Sequence, residues 1–385
     1  MGKYTFSRTA YESTAKPLLA AKGPVTKKAE QKAKKTGKLH PLVDPAGYGV
    51  IRRSLPRFDE QDDLWMMTVG VPVAVETRVD TTGSMGGNVD VAIRVLPDAY
   101  ELISTVLPGK DLQIATGIFG DVSDDFILCR PQFEMTAEKI VDQLSRMVPE
   151  RAGGDAPEDP HYGLFGAAYL TAASIHTRYG LKSYDFTVTD APARDELDEK
   201  QLCRVFGKDV FEKVIENGYE VDKERMFSTE YVIQDLSKHA HAFVLLVDAC
   251  RTAQSFWAGV FDSRYVVTIP DTKLLPHAQA VIIGLTEGTI NLQNVIEFLT
   301  EKGGLDASSA QRILRSVAHI PIGTQAMLPN FDRLPAAGDL FREKTDPWPI
   351  DPEELYDNDL LADQTASGEI DDPEDDPEEE GPDWL

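Results

Sequence analysis

The sequence predicts an α/β protein with a layered architecture and a mostly parallel sheet. Three observations support this prediction. Short apolar runs of strand length recur from about residue 70 onward. Between them lie segments whose apolar residues recur at three- and four-residue steps, which is the spacing of a helix face. Several apolar runs end at an aspartate, at the edge where parallel α/β folds bind their ligands.

The elements follow in chain order. The first predicted strand begins at Val71 and ends at Asp80, and a Gly-rich turn leads into a helix face over 91–106. A second helix face covers 140–148, and Pro157 suits the first turn of a third helix. The other predicted strands are 112–119, 126–133 (antiparallel, through a short turn), 184–189, 242–247, 266–269 and 280–283.

Composition and charge divide the chain into segments. The net charge is −25, but residues 1–40 carry +8 and residues 351–385 carry −16, which leaves −17 for the remainder. The predicted segments are a basic mobile arm (1–40), a transition segment (41–69), an α/β domain (70–320), a C-terminal extension (321–350) and an acidic disordered tail (351–385).

These features exclude several classes of protein. No apolar run reaches the roughly 18 residues of a membrane helix. The first residues lack the apolar core of a secretory signal, and three widely spaced cysteines suggest neither a zinc site nor a disulfide framework, so we expect a cytoplasmic protein. Nucleic-acid binding by the acidic body is disfavoured, because phosphate contacts need surplus positive charge. Only the basic arm could bind nucleic acid weakly.

The turn after the first strand is a candidate cation site. Asp80, Thr82 and Ser84 alternate in an extended loop, so their side chains can point to one side. All three offer hard oxygen ligands, which Mg²⁺ and Mn²⁺ prefer. Three later strands also end at aspartate (Asp121, Asp190, Asp248), although aspartate is common in turns for purely structural reasons.

Two segments resemble a known family. Asp80-Thr81-Thr82-Gly83-Ser84-Met85 resembles the first motif of the metal-ion-dependent adhesion site (MIDAS) of von Willebrand factor A (vWA) domains, and Val188-Thr189-Asp190 resembles the third. The similarity covers roughly residues 70–310. It implies a three-layer fold with helices on both faces of the sheet and Mg²⁺ or Mn²⁺ at its top. It also implies that a carboxylate of a partner protein can occupy the remaining coordination position of the metal.

The second motif of that family usually supplies a threonine, and here the chain departs from it. The loop Gly153-Gly154-Asp155-Ala156-Pro157-Glu158 resembles a branch in which Asp155 would take this role. An additional carboxylate would hold the metal more tightly and attract an acidic partner less. The alternative is that Asp155 only caps the following helix.

Other candidates are weaker. His239 and His241 could share a face, but such a pair is more typical of a helix end. The chain has no P-loop and no Gly-x-Ser-x-Gly elbow. A metal-dependent phosphohydrolase is the enzymatic alternative, with Asp121 or Glu158 near the metal as a possible base.

The sequence therefore predicts a metal-dependent binding or adaptor protein and not an enzyme. The family resemblance implies a protein partner, such as an AAA+ ATPase or a multiprotein assembly. A structural or assembly role through the charged tails is a further alternative. The segment before Trp384-Leu385 is strongly acidic, which suits either a docking tip for a basic partner or a simple solubility function.

Overall fold

The structure is a computed structural model that describes most of the chain between Thr26 and Leu334. The described residues are 9, 12–13, 26–47, 51–52, 57–59, 64–66, 71–85, 88–135, 137–149, 157–177, 179–247, 249 and 251–334. Asp155, Asp248 and the predicted acidic tail lie outside them, so the predictions for these residues stay predictions.

The described residues form strands and helices that largely alternate. The strands are β1 (Ile51–Arg52), β2 (Arg57–Asp59), β3 (Leu64–Met66), β4 (Val71–Asp80), β5 (Lys110–Phe119), β6 (Leu128–Cys129), β7 (Thr171–Ala172), β8 (Ser183–Thr189), β9 (Ala240–Val247) and β10 (Val266–Ile269). The helices are α1 (Lys27–Thr36), α2 (Asn88–Val106), α3 (Ala137–Ser145), α4 (Pro160–Tyr169), α5 (Ser174–Thr177), α6 (Glu199–Phe206), α7 (Val210–Glu216), α8 (Lys223–Met226), α9 (Thr229–His239), α10 (Arg251–Val260), α11 (Leu275–Glu287), α12 (Val295–Glu301) and α13 (Ala307–Val317).

A six-stranded sheet with the order β10-β9-β8-β4-β5-β6 forms the centre of the fold. Its strands run parallel, except that β6 is antiparallel to β5. The predicted α/β class with a mostly parallel sheet is confirmed. In the register, Asp80 lies opposite Phe119 of β5, and Val79 lies opposite Val188 of β8. The central strand β4 therefore ends between two neighbours that end at the same edge.

Both faces of this sheet are covered by apolar side chains. Along β9, Phe243 and Leu245 belong to one buried cluster, whereas Val244 and Leu246 belong to another. Because successive residues of a strand point to opposite faces, the two clusters lie on opposite sides of the sheet. Helices α2, α11 and α13 contribute to the first cluster, and helices α4, α9 and α10 contribute to the second. The layers are helix, sheet and helix.

Four charged side chains are buried between the sheet and α4, and we call Glu76, Arg78, Arg130 and Asp185 the buried charge cluster. Arg78 Nη1 lies 3.0 Å from Glu76 Oε1 and donates to Asp185 Oδ2 at 2.8 Å. Arg130 Nε and Nη2 donate to the two oxygens of Glu76, each at 2.7 Å. Two arginines and two carboxylates balance in charge, as burial of ions requires.

Helix α4 approaches this cluster closely because it carries glycines on the facing side. A Cβ atom at Gly163 would lie 2.5 Å from Arg78 Cδ and 2.8 Å from Arg78 Nε. A Cβ atom at Gly166 would lie 3.1 Å from the Phe206 ring and 3.2 Å from Arg130 Nη1. The absent side chains leave the space that the two guanidinium groups fill.

Two stretches outside the sheet pack on it. Helix α1 falls inside the predicted mobile arm, yet Ala33 on α1 is 2% exposed and belongs to the first cluster. Residues 27–36 of the predicted arm thus form a helix that packs against the domain, and the mobility predicted for 1–40 stays a prediction. Beyond α13, the Gln325 side chain is fully buried and bonds both the N–H and the carbonyl of Lys182. The Gln325 side chain thus attaches the segment after α13 to the residue before β8.

Two other predictions differ from the structure. Residues 280–283 were predicted to form a strand but lie inside α11, every residue of which is buried. A helix that is buried all round has no polar face, so its sequence has no helical period. The strand predicted over 126–133 shortens to β6, which pairs antiparallel with β5 as expected.

Candidate metal centre

The candidate centre begins where β4 ends. Thr81, the first residue after the strand, donates both its N–H (2.9 Å) and its hydroxyl (3.0 Å) to the carbonyl of Phe119 at the end of β5. The turn then tightens, because the N–H of Met85 donates to the carbonyl of Thr82 at 2.9 Å. These bonds fix the turn against the neighbouring strand and hold Asp80 and Thr82 at the sheet edge.

Asp80 is fully buried and accepts three hydrogen bonds. Its Oδ1 accepts from the N–H (2.8 Å) and the hydroxyl (2.7 Å) of Thr82, and its Oδ2 accepts from the Thr189 hydroxyl at 2.7 Å. Burial raises the pKa of Asp80 to about 6, and the nearby charge of Asp190 acts in the same direction. The hydrogen bonds from Thr189 and Thr82 oppose that rise but do not cancel it.

Glu158 reaches the same edge from the segment before α4. Its backbone N–H donates to the carbonyl of Pro192 at 2.9 Å, which joins the loop before α4 to the loop after β8. Its side chain is 7% exposed, and its Oε2 is buried without a hydrogen-bond partner among the described residues. Burial first, and then the charge of Asp80, raise the pKa of Glu158 to about 8. A hydrogen bond with the Thr82 side chain lowers it in part.

Asp190 provides a second unpartnered oxygen. Its Oδ1 is buried and finds no hydrogen-bond donor in the part of the chain that the structure describes. The loop that carries it is held in place, because Trp257 Nε1 donates to the carbonyl of Ala191 at 2.8 Å and the Ala191 N–H donates to the Thr189 hydroxyl at 3.1 Å. A buried carboxylate oxygen without a donor is costly unless a proton or a cation satisfies it.

An arginine bridges two further carboxylates beside these residues. Arg194 Nη2 lies 3.1 Å from Asp121 Oδ2, and Arg194 Nε lies 3.0 Å from Asp159 Oδ1. Burial acts to raise the pKa of Asp121, but the hydrogen bonds of Ser123 and the charge of Arg194 outweigh it, so this pKa lies below its ordinary value. Burial raises the pKa of Asp159 to about 6, although the N–H of Val122 and Arg194 oppose it.

The structure brings most of the predicted site residues to one edge. The hydrogen bonds and electrostatic interactions above connect five of them: Asp80, Thr82, Asp190, Glu158 and Asp121. Ser84 lies in the same turn with an exposed side chain.

The helix that follows this loop begins later than predicted. Pro160 rather than Pro157 is its first residue, and Asp159 occupies the N-cap position without a side-chain capping bond. Asp155 was the residue that we expected either to join the site or to cap this helix. Its alternatives stay open, because it lies outside the described residues.

The two histidines do not form a pair. His239 is the last residue of α9, as expected for a histidine at a helix end, and its ring packs edge-on against His176. His241 lies in β9 and bonds the Gln325 side chain through Nε2 at 2.9 Å. The separate partners of the two rings agree with the structural interpretation.

Sequence reasoning missed Asp159, Arg194 and Thr189. Asp159 follows Glu158 directly, so the doublet before Pro160 was a signal that the helix start would place two carboxylates together. Thr189 is the residue before Asp190, and its hydroxyl shares the Asp80 carboxylate with Thr82. No local pattern marks Arg194, since its role depends on folding alone.

The donor types at this edge fit a hard divalent cation. Carboxylate and hydroxyl oxygens line this edge, and the Thr82 hydroxyl, which donates to Asp80 and also hydrogen-bonds with Glu158, keeps at least one lone pair that a cation could use. Within the described ranges, however, no three His, Cys, Asp or Glu side chains lie close enough together to hold a metal ion by themselves. The site would therefore need hydroxyl ligands, water or residues outside those ranges.

Comparisons with known proteins give little further information. No protein-family model matches the chain, and no curated protein matches it. Among solved structures it is similar to the pilus adhesin SpaC from Lactobacillus rhamnosus GG in an open conformation, with 11% identity and a TM-score of 0.36, over 56% of this chain and 30% of that chain. It is also similar to proximal thread matrix protein 1 from the mussel byssus, with 11% identity and a TM-score of 0.33, over 56% of this chain and 48% of that chain.

The chain spans less than half the length of either of these solved chains. Similarities of this size identify neither a fold family nor a function. In the described ranges, no helix is both long and apolar enough to cross a membrane.

Proposed function

We propose that the chain is a vWA-type adaptor that uses Mg²⁺ or Mn²⁺ at the Asp80 edge to bind a protein partner. The observation that carries this proposal is the pair of buried carboxylate oxygens, Glu158 Oε2 and Asp190 Oδ1, that lack donors among the described residues and belong to groups whose charges interact with Asp80. A cytoplasmic location and an AAA+ ATPase as the partner rest on the sequence alone and belong to the same proposal.

The chain's own residues orient the oxygens that the cation would meet. Thr82 and Thr189 donate their hydroxyl protons to opposite oxygens of Asp80, and the Thr189 oxygen also accepts from the Ala191 N–H, so it keeps one lone pair for a cation. Glu158 and Asp190 each contribute one oxygen without a donor. When bound, the cation would supply a positive centre whose remaining coordination position can accept a carboxylate of the partner.

The local charge affects how strongly such a partner binds. Five carboxylates gather near the edge (Asp80, Asp121, Glu158, Asp159, Asp190), and Arg194 is the cation that bridges two of them. A divalent ion leaves the surroundings negative when all five are ionised. We therefore expect tight metal retention and only modest attraction for an acidic partner, even without a contribution from Asp155.

The first test is metal binding by the full chain. Calorimetric titration with Mg²⁺ and Mn²⁺ should give saturable binding that Asp80→Ala weakens at least about tenfold, which corresponds to about 1.4 kcal/mol. The matched control is Asp262→Ala, because Asp262 is an exposed carboxylate with its own arginine partner, Arg264. Thr82→Val tests the hydroxyl without removing a carboxylate. Absence of binding by the native chain would refute the metal site.

The second test concerns the partner. Affinity capture with the full chain in Mg²⁺ should retain a protein that is lost both in chelator and with Asp80→Ala. A partner that binds equally in all three conditions would place the contact on another surface. Circular dichroism of each variant distinguishes a lost contact from a lost fold.

A metal-dependent phosphohydrolase is the second candidate, and Glu158 is the observation that favours it. Without metal, burial and the charge of Asp80 raise the pKa of Glu158 to about 8, and a cation bound nearby would lower it toward the range of a general base. Asp121 is less suited to act as a base, because Arg194 lies 3.1 Å from its carboxylate. Metal-dependent turnover of a phosphate ester that Glu158→Gln abolishes would favour this function over the adaptor.

A further inference from the structure

A basic groove runs between α1 and the chain that follows α3, far along the sequence from the Asp80 turn. It has a volume of about 560 Å³. Lys28, Lys32 and Lys38 line one side of it, and Arg146 lies on the other. Within the described ranges, no aspartate or glutamate lines the groove. The described lining is therefore positive, although residues 41–350 are negative overall.

The three lysines of this groove have exposed side chains that no described carboxylate neutralises. Lys28, Lys32 and Lys38 form no ion pair with any residue that the structure describes, whereas Arg146 is paired with Asp142 at 2.7 Å. Three adjacent positive charges attract an anionic segment at short range, whereas the net charge of −25 opposes its approach at longer range.

The floor of the groove is apolar. Ala29, Ala33, Leu39 and Val148 line it between the charged side chains. Ala33 and Val148 are buried, and Leu39 is half-buried. A ligand that matches this groove must combine several negative charges with at least one apolar side chain, since a simple polyanion would leave the apolar floor without contacts.

We propose that residues 371–385 of this same chain occupy the basic groove. This segment has nine Asp or Glu residues and no Lys or Arg among its fifteen residues, and it includes Trp384 and Leu385. It thus supplies both the negative charge and the apolar side chains that the groove matches. The 36 residues between Leu334 and Asp371 can extend to about 120 Å, so the chain length permits contact within one molecule.

Contact within one molecule is also favoured over contact between two. A tethered segment is present at an effective concentration of the order of millimolar, so even a weak ionic contact becomes populated. The proposal is independent of the metal at the Asp80 edge. The basic residues that line the groove and the acidic residues near Leu385 then bind each other within one chain.

The test uses full-length variants and a fluorescent peptide of residues 371–385. In one variant the nine acidic residues of this segment are replaced by their amides, which keeps the chain length and removes the competing charge. This variant should bind the peptide at least about tenfold more tightly than the native chain, whose own segment occupies the groove. Equal binding to the two chains would overturn the proposal.

The groove is tested in the background of that amide variant. Lys28→Glu, Lys32→Glu and Lys38→Glu together should weaken peptide binding at least about tenfold. The matched control is Lys27→Glu, Lys34→Glu and Lys35→Glu, which makes the same charge change at exposed positions of α1 that do not line the groove. An equal loss in the control would mean unspecific attraction and would refute the groove as the site.

Two other outcomes also count against the proposal. Peptide binding that is absent while single-stranded DNA binds through the same three lysines would assign the groove to nucleic acid. A native chain that is dimeric in sedimentation equilibrium, but monomeric when the nine residues are amides, would place the segment on a second copy. A native monomer with the peptide behaviour described above supports the contact within one chain.

Discussion

The buried charge cluster and the acidic edge of the sheet both include ionisable side chains of β4, but their charges are balanced in different ways. In the cluster, Glu76 and Arg78 of β4 meet Arg130 and Asp185, so that each charge has an opposite one at hydrogen-bonding distance. Two residues further along β4, Asp80 has hydroxyl and amide donors but no positive partner among the residues that the structure describes.

The difference indicates which region is complete by itself. Arginines from within the fold neutralise the cluster, and the pKa of Glu76 is held below its ordinary value by Arg130 and Arg78 despite burial. At the edge, burial raises the pKa values of Asp80 and Glu158, because no comparable cation faces them. A self-neutralised group stabilises the fold, whereas a group with excess negative charge needs a ligand or protons.

Removal of one partner from the complete region should have the largest effect. Arg78→Met leaves Asp185 buried without its guanidinium partner, and we expect a loss of roughly 3–5 kcal/mol in the free energy of unfolding. Urea denaturation of the native and variant chains measures this loss. Arg264→Met, which breaks an exposed ion pair, is the control and should leave the midpoint almost unchanged. A small effect of Arg78→Met would show that water reaches the cluster.

The acidic edge should show a pH dependence that responds to metal, which we do not expect for the cluster even though burial also raises the pKa of Asp185. A carboxyl group whose pKa is raised on folding stabilises the folded state below its unfolded pKa, and this stability is lost as pH rises through the folded value. For Asp80, whose pKa rises from 3.8 to about 6, the loss without metal is roughly 3 kcal/mol.

Mg²⁺ should restore that stability, so its effect on the melting temperature should be larger at about pH 8 than at about pH 5. Thermal unfolding in Mg²⁺ and in chelator measures the difference, and Asp80→Asn should abolish most of it. If Mg²⁺ raised the melting temperature equally at both pH values, the carboxylates at this edge would not be the binding groups.

A glycine pair gives the smallest expected effect. Gly163→Ala places a Cβ atom 2.5 Å from Arg78 Cδ, so we expect it to destabilise the protein by about 1–3 kcal/mol. Gly259→Ala in α10 is the matched control, because its Cβ atom would meet nothing within 4 Å. That change should be neutral or slightly stabilising. Comparison of the urea midpoints of the two variants tests whether α4 packs directly against the buried charge cluster.

Most of the sheet could be predicted from the sequence because its strands carry a simple signal. β4, β8, β9 and β10 are short apolar runs, and the predicted bounds of β10 at 266–269 agree with the structure. The same rule wrongly predicted a strand for residues 280–283 in α11, because a helix buried on every side is also a continuous apolar run. A continuous apolar run therefore indicates that a segment is buried and does not show whether it is a strand or a helix.

The site was predictable only in part, for a related reason. Asp80 and Asp190 stand at strand ends, where the position of a parallel strand fixes the position of the next residue. Arg194 and Asp159 could not be found in this way, since loops bring them together from 35 residues apart. The charged residues Glu76 and Arg78 were also missed, because an apolar strand pattern gives no reason to expect balanced charges inside it.

The hydrogen bonds around Asp80 also have a consequence for kinetics. The turn after β4 bonds to a carbonyl 38 residues away, and Asp80 bonds to a hydroxyl 109 residues away. Contacts so distant in sequence form only after large loops have closed, so the edge is assembled late in folding. We therefore expect a cation to meet this arrangement only after the rate-limiting step. It should therefore slow unfolding and leave the refolding rate unchanged, because it stabilises the folded state and not the transition state of folding.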